Sequence, residues 1–255
     1  MSSQRAYKGL YLFGSILIPV LIWWVLAKYV VESSVVLPSP YEVYLALVEL
    51  IEAHGLMNDI WVSIMRTVAG FGIGTVVGIV FGMLTGRIKT MENTIGQIFQ
   101  MLRPLTPVAL APFFILWLGL GESSKILLIA WGVFFPVWIA SHIGVQNVEI
   151  AYIWAAKTLG FSRVRLYLDI YLKGSLPIII SGVRTGIAVS FILLFVSETL
   201  GASSGVGYRL KVSYDIFRID RMFACLLILG FLGALSDGLF ALTTKRVFPW
   251  LVENR

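Results

Sequence analysis

The sequence predicts an all-α membrane protein with six transmembrane helices, built as a single domain of residues 1–255. The composition is 58% hydrophobic and 13% charged, whereas about a quarter of the residues in an average soluble domain are charged. A helix needs about 20 apolar residues to cross a bilayer. Six stretches meet this requirement, at residues 10–31, 61–86, 94–120, 126–148, 174–200 and 222–244.

The first apolar stretch is predicted to be a retained span. Arg5 and Lys8 precede it, as in a secretory signal, but it is longer than the apolar region of a signal peptide and only Lys28 interrupts it. The net charge of +6 does not indicate nucleic-acid binding, because the basic residues are scattered between apolar runs.

The distribution of Lys and Arg predicts that both termini lie in the cytoplasm. With the N-terminus inside, the inner segments hold eleven of these residues and the outer segments hold six. An excess of positive charge is typical of cytoplasmic loops.

A short helix is predicted in the outer segment after the first span. Ser39 and Glu42 have the spacing of a capping box, and Pro40 occupies the first helical position. Apolar residues then recur at helical spacing, which predicts an amphipathic helix along the outer membrane face.

Five glycines in the second span repeat at every fourth position, from Gly70 to Gly86. This spacing places them on one helix face, where a second helix backbone can approach closely. The pattern therefore predicts tight helix packing along the second span.

The third span is predicted to be kinked or broken. Pro104, Pro107 and Pro112 fall within nine residues, and each removes a backbone donor and clashes with the preceding turn. Carbonyl groups freed at membrane depth must be shielded by protein or line a wet cavity. Pro107 and the nearby Trp117 are therefore candidates for a solute pathway, with a purely structural kink as the alternative.

Charged residues inside the predicted spans are functional candidates. Arg66 and Glu198 lie near the outer ends of their spans and are expected either to pair or to face the mouth of a pathway. If a solute of the chain is an anion, Arg103 and Arg184 are candidates for guiding it, with lipid phosphates or helix capping as the alternatives. For Asp237 we expect a hydrogen bond to a neighbouring helix rather than a proton relay.

The histidines and the cysteine of the chain do not cluster into a metal-binding or catalytic pattern. His54 and His142 are isolated, and Cys225 lies in an apolar run, so we predict no metal site and no catalytic centre. The glycine-rich residues 201–207 lack a lysine at P-loop spacing and are interpreted as a flexible outer loop. The chain is thus expected not to be an enzyme and not to bind a nucleotide by itself.

The polar segment 149–173, between the fourth and fifth spans, is the most informative part of the chain. We predict two short helices broken near Gly160, with Ser162 capping the second. Ala155 and Ala156 give the first helix a smooth face. A pair of short helices of this kind is suited to docking into a groove on a soluble partner.

This segment resembles the "EAA" coupling loop of ABC importer permeases, in which Glu-Ala-Ala is followed by Gly and then by Ile-x-Leu-Pro. Here Ala155, Ala156 and Gly160 keep the family spacing, whereas Trp154 replaces the glutamate and Lys173 the proline. The resemblance implies that the coupling contact involves Ala155, Ala156, Lys157, Leu159, Gly160, Phe161, Ser162 and Arg163.

Further segments are similar to the branch of permeases for nitrate, taurine, aliphatic sulfonates and bicarbonate. They are residues 37–40, 103–112, 114–119 and 125–126, together with Glu198 and residues 205–208. The resemblance covers about residues 15–250 and implies the type I importer permease fold. It also implies a small anion as solute.

The resemblance further implies the partners of the chain. A second permease copy completes the pathway, two ATP-binding subunits bind ATP and Mg²⁺, and an extracytoplasmic binding protein delivers the solute at a bacterial inner membrane. The alternative is a secondary transporter driven by an ion gradient, which would need paired intramembrane acids and often an internal repeat.

Overall fold

A computed structural model describes residues 17–29 and 36–249, and the regular elements in these two ranges are helices. The helices are α1 (Leu17–Tyr29), α2 (Pro40–Ala53), α3 (Leu56–Arg87), α4 (Lys89–Leu102), α5 (Pro107–Leu118), α6 (Glu122–Gln146), α7 (Ile150–Thr158), α8 (Arg163–Gly201), α9 (Val206–Asp215) and α10 (Ile219–Val247).

Four helices, α3, α6, α8 and α10, are long and apolar enough to cross a membrane, and the bent pair α4–α5 provides a fifth candidate span. The predicted first span at 10–31 lies partly outside the described residues. Its described part forms α1, which by itself is shorter than a span.

The central helix of the bundle is α6, which packs against α3 on one side and α8 on the other. The glycine stripe of α3 explains how close the first pair lies. A methyl group on Gly74 would lie 2.5 Å from the carbonyl oxygen of Ala130, and one on Gly78 would lie 2.9 Å from Cβ of Val137. The predicted tight packing along the second span is therefore confirmed.

The third predicted span is broken, as its prolines indicate. Helices α4 and α5 meet at 97° across a break that contains Pro104, and Pro107 is the first residue of α5. A π-helical turn at Glu92–Gly96 interrupts α4. The loss of backbone donors at the prolines gives the break a local cause.

The predicted capping box of α2 is confirmed. The hydroxyl oxygen of Ser39 accepts from the amide of Glu42 (3.3 Å), and the Glu42 carboxylate accepts from the amide of Ser39 (2.6 Å). The buried face of α2 packs against α10 and α9 in a cluster that also contains the buried thiol of Cys225.

The segment 149–173 differs from its prediction in one respect. Its first helix, α7, is short, but the second does not end near Lys173 and instead continues into the fifth span as α8. A π-helical stretch at Leu166–Leu172 connects the first turn of α8 to its membrane part without a break. Within this stretch Asp169 pairs with Lys173 at 2.7 Å. At about 1.5 Å per residue α8 is roughly 58 Å long, well beyond the roughly 30 Å of a hydrocarbon core.

Candidate functional site

A buried ionic network occupies the C-terminal end of α8. Glu198 is 0% exposed, and its carboxylate accepts from the Ser63 hydroxyl (2.7 Å), from Nη1 of Arg66 (2.8 Å) and from the amide of Gly207 (2.8 Å). These three donors come from α3 and α9. The carboxylate thus joins three helices at one point.

Arg66 is the centre of the same network. Its Nε and Nη2 donate to the two carboxylate oxygens of Glu122, at 2.5 and 2.7 Å, and Nη1 also donates to the carbonyl oxygen of Ser204. All three nitrogens are engaged and the side chain is 2% exposed. Arg66 and Glu198 are thus paired and buried, which leaves neither of them a surface for a solute in this conformation.

Asp59 extends the network to α9 and to Gly205, the residue before this helix. Its carboxylate accepts from the amide of Gly205 (2.8 Å) and from Nη2 of Arg209 (2.6 Å). Asp59, Ser63 and Arg66 lie four and three residues apart and therefore share one face of α3. This spacing is a sequence signal for the network, but the charges inside the predicted spans do not reveal it, because Asp59 precedes the predicted second span.

A second ion pair lies between α8 and α10, near the middle of both helices. Nε and Nη2 of Arg184 donate to the two carboxylate oxygens of Asp237, each at 2.7 Å. The side chains are 58% and 39% exposed. The hydrogen bond expected for Asp237 therefore comes from Arg184, and this pair, unlike the Arg66–Glu198 pair, is open to its surroundings.

The exposed surface beside Arg184 is partly polar, whereas that of α3 is not. Along α8 the exposed residues near Arg184 are Ser181, Thr185 and Ala188. Between residues 61 and 86 of α3 the exposed side chains are all apolar: Trp61, Met65, Val68, Ile73, Val76, Val77 and Val80. This contrast indicates that α3 presents a lipid-facing surface and α8 a surface in contact with protein or water.

The break between α4 and α5 holds the other candidate residues. Arg103 is exposed there, and within the described ranges its side chain has no hydrogen-bond or ion-pair partner. Pro107 starts α5, and Trp117, in its last turn, is 72% exposed. Among the described residues, no hydrogen bond or ion pair connects Arg103, Pro107 or Trp117 to Arg184.

A polar cavity of about 340 Å³ lies between α4 and α6. Its lining is Glu92, Asn93, Gly96, Gln97, Gln100, Trp138 and His142. His142, which the sequence leaves isolated, has Nδ1 3.1 Å from the Thr85 hydroxyl and Nε2 3.8 Å from the Glu92 carboxylate. Only the packing of α6 against α4 and the end of α3 creates this environment.

The turn between α7 and α8 is shaped by Gly160 and Ser162. Gly160 adopts φ +72°, a left-handed conformation that other residues rarely adopt, and the Ser162 hydroxyl oxygen accepts from the amide of Arg165 (3.4 Å). Ala156 is buried against a cluster that includes Leu166 and Tyr171, whereas Ala155 is exposed. Of the two alanines, one fastens α7 to α8 and the other is free for contact.

Apolar side chains cover the outside of this turn. Trp154 is 62% exposed, Leu159 75% and Val164 69%. Large apolar side chains are thus exposed on both sides of the α7–α8 turn.

The chain matches the family model described as "Binding-protein-dependent transport system inner membrane component" over residues 74–249. It is 35% identical over 243 residues to a protein of Bacillus subtilis named as the aliphatic sulfonates transport permease SsuC, covering 95% of this chain and 87% of that protein. It is 30% identical over 243 residues to the taurine transport system permease protein TauC of Escherichia coli, covering 93% and 88%.

Two solved structures share the fold. A chain of the MetNI methionine ABC transporter, in an inward-facing conformation, has a TM-score of 0.60 at 18% identity and covers 77% of this chain and 96% of its own. A chain of an amino acid ABC transporter with histidines has a TM-score of 0.60 at 13% identity, covering 79% and 96%. The chain thus has a type I ABC importer permease fold, and it belongs to the family of binding-protein-dependent transport system inner membrane components.

Proposed function

We propose that two copies of this chain form the solute pathway of an ATP-driven importer for small sulfonates, and that the α7–α8 turn couples the pathway to two ATP-binding subunits. These subunits bind ATP and Mg²⁺, and an extracytoplasmic binding protein delivers the solute. Both termini and the α7–α8 turn lie on the cytoplasmic side of a bacterial inner membrane.

The observation that carries the proposal is the apolar face of the α7–α8 turn. Trp154, Leu159 and Val164 are exposed at the end of α8, and Ala156 fastens α7 to the same helix. A partner that grips this face moves α8 directly, because no flexible segment lies between the turn and the membrane part of α8. The turn thus has the properties required of a lever.

The choice of a sulfonate rests on two supports. The relatives at 35% and 30% identity are named for aliphatic sulfonates and taurine. The exposed arginine on α8, Arg184, which pairs with Asp237 in this structure, is a cationic partner of the kind that an anionic solute requires at membrane depth.

Leu159→Asp tests the coupling role. Burying a leucine side chain contributes about 1.5–3 kcal/mol, so we expect recovery of the ATP-binding subunit with the purified permease to fall at least tenfold. The measurement is the ratio of the two subunits after affinity purification from cells that express the whole transporter. Ile216→Asp is the matched control, because Ile216 is an exposed apolar residue at the opposite end of the bundle.

Uptake of radiolabelled taurine and of an alkanesulfonate tests the solute class. The complete transporter in proteoliposomes, with its binding protein, is expected to import one of these solutes only with ATP. Equal recovery of the ATP-binding subunit by wild type and Leu159→Asp would contradict the coupling role. Failure to import either sulfonate would contradict the choice of solute.

A further inference from the structure

Arg184 and Asp237 form an ion pair that is exposed although both residues lie near the middle of long apolar helices. The side chains are 58% and 39% exposed. Charged side chains in contact with hydrocarbon are costly, so residues of this kind face protein or a water-filled cavity. The surface that carries this pair is therefore not a lipid-facing surface.

On α8 the residues around the pair support contact with water, whereas the exposed neighbours of Asp237 on α10, Leu235 and Leu239, are apolar. Ser181 and Thr185 are exposed on α8 in the same turns as Arg184. The Thr185 hydroxyl donates its proton to the carbonyl oxygen of Ser181 (3.1 Å), so its oxygen can accept from water but does not donate to an anion in this conformation. An aqueous solute that passes along α8 would thus meet two hydroxyl groups beside a guanidinium.

The Asp237 carboxylate is bound by Arg184 in the way that an oxyanion group of a solute could be bound. Nε and Nη2 of Arg184 donate in parallel to two oxygens of one carboxylate. Two oxygens of a sulfonate can take the same positions, because a guanidinium binds such groups through two parallel N–H bonds. Asp237 thus occupies the site that an anionic solute would need.

Arg66 and Arg184 differ in how easily their carboxylate partners could be exchanged. Arg66 is 2% exposed and all three of its nitrogens are held by Glu122, Glu198 and Ser204. Removing one partner from such a buried pair is strongly destabilising. An exposed pair contributes little to stability, so its partners can be exchanged at small cost.

We propose that Asp237 is a displaceable counter-ion of Arg184: an oxyanion group of the passing solute replaces the Asp237 carboxylate on the guanidinium, and Asp237 returns when the solute leaves. Arg184 and Asp237 then determine the charge selectivity of the pathway. This inference rests on the proposed function, since it assigns the anionic solute a contact within the pathway.

The exchange has a consequence for transport. Without a solute the Arg184 charge is balanced, so the pathway does not retain anions nonspecifically. With the solute bound, Asp237 is a nearby negative charge that competes for the guanidinium and favours release. Removal of Asp237 is therefore expected to strengthen anion binding, whereas removal of Arg184 is expected to abolish it.

Protection of a cysteine introduced at Thr185 tests the exchange in the assembled transporter. Thr185→Cys is reacted with uncharged methyl methanethiosulfonate, and the rate of modification is measured with increasing ethanesulfonate. The chain without the new cysteine gives the background, because its own Cys225 is buried. Val68→Cys, on the apolar face of α3, is the control for a position that ethanesulfonate does not protect.

We expect ethanesulfonate to slow modification of Thr185→Cys, and ethylammonium at the same concentration to have no effect. Adding Asp237→Asn should lower the half-protecting concentration severalfold. Adding Arg184→Gln should raise the half-protecting concentration at least tenfold. The double change Arg184→Gln with Asp237→Asn, which keeps the net charge of the pair at zero, should raise it to the same extent. Arg184→Lys keeps the positive charge but loses the two parallel N–H donors, so it should raise the half-protecting concentration severalfold. This variant provides the test if Arg184→Gln fails to assemble.

A purely structural pair gives a different result. Arg184→Gln and Asp237→Asn break the same ion pair, so a structural role predicts changes in the same direction. That outcome, or protection that does not depend on Arg184, or a Thr185→Cys that the reagent does not reach, would overturn the inference. Ethanesulfonate protection with the expected changes, in a transporter that imports neither taurine nor alkanesulfonates, would overturn the proposed solute and leave the anion site standing.

Discussion

The guanidinium of Arg66 donates to the carboxylate of Glu198 across 2.8 Å, and the two side chains are 2% and 0% exposed. This pair joins α3 to the C-terminal end of α8, while Glu122 connects it to α6. The three central helices are therefore fastened together at one end by charge as well as by packing. A unit held in this way is expected to move as one body.

Glu198→Gln is expected to destabilise the fold by about 3 kcal/mol, because it leaves the buried Arg66 with reduced compensation. The measurement is the unfolding transition of the purified permease in detergent, followed by circular dichroism. Glu149→Gln, which removes an exposed carboxylate outside the network, is the control and should leave the transition unchanged. Similar transitions for the two variants would contradict a stabilising role for the network.

Gly74→Ala is expected to lower stability by about 1–3 kcal/mol, because the new methyl group would lie 2.5 Å from the Ala130 carbonyl oxygen and 2.9 Å from Cβ of Val133. Gly72→Ala, on the same helix, has no atom within 4 Å of the new methyl group and should be neutral or stabilising by up to about 1 kcal/mol. Both are measured as shifts in the same unfolding transition. A Gly72→Ala variant destabilised as much as Gly74→Ala would contradict the assignment of the loss of stability to packing on α6.

Glu49 is expected to make stability depend on pH. Its carboxylate accepts from Nη2 of Arg221 (2.5 Å) and of Arg218 (2.8 Å), and these bonds hold the pKa of Glu49 below its ordinary value of 4.5. A lowered pKa means that the unfolded chain binds the proton more tightly. The stabilisation is therefore complete above pH 4.5 and is lost as the pH falls through the folded pKa.

Glu49→Gln should thus be less stable than wild type near neutral pH, by at most about 1 kcal/mol for so exposed a group. The difference should disappear under acidic conditions. Unfolding transitions of both proteins between pH 7 and pH 3, at constant ionic strength, provide the measurement. Glu52→Gln, an exposed residue on the same helix, controls for the loss of one negative charge, and a difference that does not shrink as the pH falls below 4.5 would contradict the prediction.

Gly160→Ala separates backbone strain from coupling. Gly160 and Gly55 have φ of +72° and +65°, and a methyl group on either would meet no atom within 4 Å. Alanine in this conformation costs roughly 1–2 kcal/mol, so both variants should be destabilised to a similar extent. Only Gly160→Ala should reduce the number of solutes imported per ATP, because it alone alters the α7–α8 turn; equal coupling in the two variants would contradict this.

Much of the fold could be predicted because its causes are local. The capping box at Ser39 and the break at Pro104 depend on a few neighbouring residues, and both are present in the structure. The glycine stripe of α3 likewise predicted a close helix contact without naming the partner. The π-helical stretch that extends α8 to Arg163 was missed, because it follows no simple periodicity.

The sequence by itself determined an all-helical membrane protein, its broken third span and its membership of a permease family, since apolar length, proline position and motif spacing are properties of short segments. Only the tertiary structure decided which charged side chains are buried in ion pairs and which are exposed. Arg66 and Arg184 look alike in the sequence, each a single arginine in an apolar run. The physical reason is that Arg66 is enclosed between α3, α6 and α8 with acids from two other helices, whereas Arg184 points to the edge where α8 meets α10.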